Sequence, residues 1–163
     1  MGMIANLLRV TPTELETYLN DSTLLEERIY SPHAERDFNL KDLDKSWDAI
    51  IFLLTGQNIQ NADHPLVQVL FSGQIVDEGQ DLGYGPGHYL TPKQVKELNS
   101  QILIFTTEEL QQRYNPEKMI EIDVYPSVWD AESFEYVDFY FKRLQQFYAE
   151  ADKNGQAIIT FLS

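Results

Sequence analysis

The sequence predicts a single α+β domain over residues 1–163: a small sheet packed with several helices around one buried central helix. Three observations carry that expectation. The stretch Leu40–Gly56, LKDLDKSWDAIIFLLTG, sets Leu43, Trp47, Ile50 and Leu54 at helical spacing and is apolar on every side from Ala49 to Leu54. A helix that begins half-wet and ends dry belongs inside a core. Two Thr-Pro dipeptides, Thr11-Pro12 followed by Glu14 and Thr91-Pro92 followed by Gln94, spell helix starts: a capping hydroxyl, a proline at the first helical position and a reciprocating third side chain. Finally, Met3–Val10, His88–Leu90 and Ala157–Leu162 are short extended segments suited to share one sheet.

Taken in order, Met3–Val10 is expected to be buried on both faces, because Ile4, Leu7, Leu8 and Val10 scarcely alternate with polar residues. The first Thr-Pro box opens a helix with Leu15, Tyr18 and Leu19 inward, and Asp21 or Ser22 restarts a shorter one through Leu24, Leu25 and Ile29. Polar Ser31–Asn39 is a loop into the central helix. Asp42 or Asp44 is placed to cap that helix, and Gly56 supplies the left-handed residue that stops it. Trp47 and Leu54 should be buried.

His64-Pro65 opens a short helix that Gly73 ends, with the His64 ring available as a cap, and Ile75-Val76 begins a short strand. Past the second Thr-Pro box, Val95, Leu98, Ile102 and Phe105 share one helical face. Thr106 with Glu109, then Asn115-Pro116, start two further helices. Pro126 breaks any helix across Ile122–Trp129. The last helix, from about Glu132 to Lys153, carries Phe134, Val137, Phe141, Leu144, Tyr148 and Ala151 three and four apart, with Asp138 paired to Lys142. Tyr136 and Tyr140 fall off that stripe. Asn154-Gly155 closes the helix before the terminal strand. The repeated order of strand, Thr-Pro box and helix follows from shared capping physics, since the flanks do not match.

Bulk composition narrows the partners. The chain carries 26 acidic against 12 basic residues, a net charge of −14, and such a surface repels phosphate backbones, so nucleic acid is not an expected partner. Like charges never run beyond two residues, a dispersed pattern that favours solubility over a dedicated basic partner. The longest apolar run is the six residues Ala49–Leu54, far short of the roughly 20 that span a bilayer. No membrane association is expected. With no cysteine and no visible secretory signal, a cytoplasmic setting is expected.

Motifs with chemistry are few. Gly83-Tyr84-Gly85-Pro86-Gly87 superficially resembles a phosphate-cradling loop, but Pro86 removes a backbone donor, no lysine follows, and the segment leads into a strand. Its glycines are those of a flexible turn. Asp77, Glu78 and Asp81 at its mouth lack the alternating order of a calcium loop. The three histidines, His33, His64 and His88, have no metal-pair spacing. There is no Gly-x-Ser-x-Gly elbow and no cysteine nucleophile. No metal, cofactor or catalytic residue is assigned.

Longer blocks carry a resemblance. Met1-Gly2-Met3-Ile4, the Leu-Asp-Lys-Ser-Trp-Asp and Phe-Leu-Leu-Thr-Gly segments within 43–56, Gly-Pro-Gly-His-Tyr-Leu-Thr-Pro at 85–92, Tyr125-Pro126 with Trp129, and an aromatic helix ending in glycine and an apolar strand follow one another along nearly the whole chain. In this the chain resembles the YfbM-like family, a bacterial domain of unknown function. The resemblance implies a compact α+β fold of bacterial origin and no mechanism.

Three functions therefore stand as expectations. The first is a non-enzymatic module binding a protein or small ligand, with Glu78, Tyr84, His88 and Tyr89 as binding candidates around the glycine loop. The second is an acidic inhibitor or immunity-type protein that masks a basic partner. The third is an enzyme that pairs His88 with a carboxylate such as Glu78, a contact that would raise the imidazole pKa.

Overall fold

Every helix start that the sequence marks with a threonine is capped. In the computed structural model, which describes residues 2–163, β1 (Ala5–Val10) runs into α1 (Pro12–Asn20). At that junction Thr11 Oγ1 accepts the Glu14 N–H (3.1 Å), while Glu14 Oε1 accepts the Thr11 N–H (2.8 Å). The same reciprocal box joins β3 (His88–Leu90) to α4 (Pro92–Ile102), with the Gln94 N–H on Thr91 Oγ1 (3.3 Å) and the Thr91 N–H on Gln94 Oε1 (2.9 Å). Asp21 caps α2 (Ser22–Ile29), Thr106 caps α5 (Thr107–Arg113) and Asn115 caps α6 (Pro116–Glu121). Each supplies an acceptor to backbone donors that a helix start leaves unpaired.

The sheet is antiparallel, in the order β2 (Leu40–Asp42), β1, β4 (Ala157–Leu162), β3. The N-terminal, His88 and C-terminal strands thus lie in one sheet. Side chains alternate across it. Ala5, Leu7, Leu90 and Ile158 join the larger core with α3 (Trp47–Thr55), α4 and α7 (Phe134–Lys153). Leu8, Val10, Ala157, Ile159 and Phe161 join a second core with α1, α2, Val76 and Leu82. The sheet is therefore covered on both faces, which is why β1 and β4 carry apolar side chains on both of them.

Trp47 and Leu54 are each 3% exposed, and α3 is buried on all sides. Gly56 ends it at φ +78°. The start of the expected helix is different. Leu40–Asp42 is the edge strand β2, paired to β1 through Leu7↔Lys41, and a 3-10 turn over Asp44–Ser46 precedes α3. Neither Asp42 nor Asp44 caps it. Asp42 Oδ1 accepts the Asp44 N–H (2.9 Å) and Asp44 takes a left-handed φ of +49°, folding the chain from sheet edge into helix. The pairing that makes Leu40–Asp42 a strand is with residues far away in sequence, so helical spacing alone could not exclude it.

Other differences are smaller. Residues Pro65–Val69 form a 3-10 helix, capped by His64 Nδ1 on the Leu66 N–H (3.0 Å). Ile75 makes an isolated bridge to His88, and α4 ends at Ile102, leaving Phe105 beyond it. Asp48, 2% exposed inside α3, accepts the Ile59 and Tyr125 N–H groups, one on each carboxylate oxygen, both at 2.8 Å. It ties two irregular segments to the central helix. Burial pushes its carboxyl above the usual range, and those two hydrogen bonds pull it back. No helix among the described residues is long and apolar enough to cross a membrane.

Candidate functional site

Strand β3 decides how the predicted site residues are arranged. Successive residues of a strand face opposite sides of the sheet, so His88 and Tyr89 are separated. His88 lies beside Phe71, edge to face at 5.8 Å between centroids, and its Nδ1 accepts the Gly73 N–H at 3.1 Å. With that nitrogen acting as acceptor, the proton of the neutral ring sits on Nε2. Burial pushes the His88 imidazole below its ordinary pKa. Tyr89 packs on the second core instead.

Tyr84 is brought together with His88. Both line a cavity of about 50 Å³ that also touches Phe71, Pro86 and Thr160. At about 30 Å³ per liquid water, that volume suits solvent, whereas small-molecule sites run to about 300–1,000 Å³. Glu78 does not reach the cavity and is exposed. No carboxylate faces His88 among the residues lining it.

The glycine loop itself is ordered by its acidic residues. Asp81 Oδ1 accepts the Gly83 N–H (2.9 Å) and the Gly85 N–H (3.1 Å), and these bonds hold its carboxyl below the usual range. Asp77 accepts the Ser22 hydroxyl (2.6 Å) and the Gly79 N–H (2.9 Å), with the same effect. The Tyr84 N–H donates to the Leu162 carbonyl (3.1 Å), Tyr30 donates its hydroxyl to the Leu82 carbonyl, and Leu82 is fully buried. Gly83, at φ +136°, passes so close to the C-terminus that a Cβ would stand 2.7 Å from Ser163 Cα. The expected flexible turn is docked onto the end of β4.

A second hollow has the opposite character. On β1, Arg9 follows Leu7 by two residues and so shares its face of the sheet, toward α7. Lys41 pairs with Leu7 from the edge strand. Across from them Arg143, Gln146, Phe147 and Glu150 recur at 3, 4 and 7 residues along α7, one face of a helix. With Phe38 these residues enclose about 240 Å³. Phe38 is 83% exposed, the most exposed of the large apolar side chains.

The cations here keep unused capacity. Arg9 lies over the Phe147 ring (5.5 Å) and donates to Gln156 Oε1 (3.2 Å) and, at 3.5 Å, to the Phe38 carbonyl. Its Nε–H is buried and meets no acceptor among the described residues. Arg143 packs on Phe139 and Tyr140 (5.3 and 5.2 Å) and gives one hydrogen bond, to the Asp42 carbonyl (3.0 Å). Ion pairs among the described residues involve Arg28, Lys118 and Lys142, and none of Arg9, Lys41 or Arg143. The sequence did carry a signal for this hollow. Arg9 is the one charge in the six-residue strand ANLLRV, and the 143–146–147–150 stripe runs beside the core stripe of the last helix.

No group of three or more potential metal-ligating side chains occurs among the described residues. A comparison with curated proteins finds no match. Among solved structures, the crystal structure of YfbM from Escherichia coli, a protein of unknown function, superposes with a TM-score of 0.76 at 16% identity, covering 98% of this chain and 99% of that one. The α+β fold is shared at that distance. The family described as a domain of unknown function, DUF1877, matches residues 1–161, and the chain belongs to it.

Proposed function

We propose that the domain is a non-enzymatic binding module that holds a small anionic ligand between the sheet edge and α7. One observation carries the reading: Arg9, Lys41 and Arg143 line a single hollow without an ion pair among the described residues, in a chain with 26 acidic residues. A chain so rich in carboxylates has ample means to neutralise three cations, and gathering them unpaired has a cost in mutual repulsion. An anion relieves it through charge-assisted hydrogen bonds. The enzymatic alternative draws no support from His88, whose Nδ1 is engaged by Gly73 and whose cavity lacks a carboxylate. The carboxylates are spread over the chain, so nothing favours the basic-partner alternative over the hollow.

Isothermal titration calorimetry with inorganic phosphate at low salt tests the proposal. The expected result is one site with a Kd of about 1 mM or tighter, weakened at least tenfold when Lys41→Gln and Arg143→Gln are combined. Equal affinity in that variant would remove the hollow as the seat, and absence of binding would defeat the reading.

A further inference from the structure

We infer that the ligand is a monophosphate ester bearing a flat ring, of the nucleoside monophosphate class. This rests on the hollow beside α7 being the ligand seat. The first ground is charge. Within the lining of the hollow Arg9, Lys41 and Arg143 stand against one carboxylate, Glu150, while Glu35 and Asp42 lie beside Lys41 and Arg143 in the neighbouring hollow and Asp37 interacts electrostatically with Arg9. A phosphate monoester, mostly dianionic at neutral pH, is drawn more strongly to the three cations than a single carboxylate is. The guanidinium forks of Arg9 and Arg143 suit phosphate oxygens.

The second ground is the rim. Phe38 lines the hollow while its ring stays 83% exposed. No described residue covers that face. A planar ring laid on it would remove apolar surface from water on both partners, as bases do on aromatic platforms. The inward wall is already occupied, because Phe147 lies under the Arg9 guanidinium. The ring of the ligand therefore belongs at Phe38 and the phosphate at the cations.

The third ground limits the length of the anion. Lys41 and Arg143 also border a neighbouring hollow of about 400 Å³, and there Glu35 and Asp42 join the lining. A second or third phosphate extending that way meets carboxylates. The same barrier, with the net charge of −14, turns away a nucleic acid chain while admitting a single nucleotide. The volume of about 240 Å³ between strand edge and helix lies below the usual small-molecule range of about 300–1,000 Å³, which leaves room for the phosphate end and keeps the ring at the rim.

Titration calorimetry on the full chain with four probes tests this: inorganic phosphate, ribose 5-phosphate, AMP and ADP. AMP is expected to bind about tenfold tighter than ribose 5-phosphate, with ADP no tighter than AMP. In Phe38→Ala, whose exposed ring makes a folding defect unexpected, the ratio of AMP to ribose 5-phosphate affinity should fall toward one. Equal affinities for AMP and ribose 5-phosphate in the unmodified protein would overturn the ring assignment and leave the anion site standing. ADP binding tenfold tighter than AMP would overturn the monophosphate assignment. If none of the four binds, the seat itself is wrong and both readings fall.

Discussion

The glycine loop and the hollow beside α7 are built from similar residue types and differ in what those residues have left to give. At the loop, Asp77, Asp81 and His88 each accept from a backbone N–H nearby. At the hollow, Arg9 keeps a buried donor without an acceptor, and Lys41 and Arg143 have no ionic partner among the described residues. A conspicuous loop motif is thus internal bracing, and an inconspicuous set of cations on three elements has no ion pair among the described residues. Unmet hydrogen-bonding and charge capacity, more than residue type, separates the two.

The sharpest way to break that comparison is to damage each region and read both stability and binding. Gly83→Ala forces a side chain into a left-handed position and against Ser163, so it should cost about 2–4 kcal/mol in urea melts while leaving phosphate affinity of the folded protein unchanged. A loss below about 0.5 kcal/mol would mean the loop is not docked. Arg9→Met should do the reverse. It keeps an apolar stem beside Phe147 and removes a donor that lacks an acceptor. Phosphate affinity should fall at least tenfold, about 1.4 kcal/mol, with stability changed by less than that.

A smaller effect is expected at the junction that positions β3. Thr91→Ala removes the cap on α4 and should cost about 1 kcal/mol by the same melts, whereas an unchanged midpoint would show the box to be dispensable. Smallest is the pH response of His88. Its folded-state pKa lies below the unfolded value of about 6.5. The unfolded chain therefore binds the proton first on acidification. The contribution is fully present above about pH 6.5 and is lost as pH falls through the folded pKa. Relative to His88→Gln, the unmodified protein should lose stability between pH 7.5 and 5. A gain over that interval would instead reveal a carboxylate partner such as Glu78.

What could be read in the sequence was what is decided locally. The Thr11 and Thr91 boxes, the Gly56 stop and the core stripe of α7 depend on neighbours a few residues apart, and all are present. Leu40–Asp42 looked helical because Leu43 and Trp47 repeat at helical spacing, yet its conformation is set by β1, more than 30 residues earlier. The arrangement of the candidate site residues was not legible for the same reason. Of the four candidates, the loop motif brings Tyr84 and His88 together, while the period of a strand turns Tyr89 away and Glu78 stays in solvent. Arg9, Lys41 and Arg143 meet only through sheet pairing and helix packing, so no window of sequence contains them.

The central claim is that the ligand seat lies at α7 and not at the glycine loop. Two-dimensional ¹H–¹⁵N NMR of the full chain, titrated with AMP at constant ionic strength, tests it most directly. The largest and saturable shifts should fall on residues 9, 38, 41, 143 and 147, with residues 82–88 unmoved. Saturable shifts confined to residues 82–88 and Phe71 would contradict it.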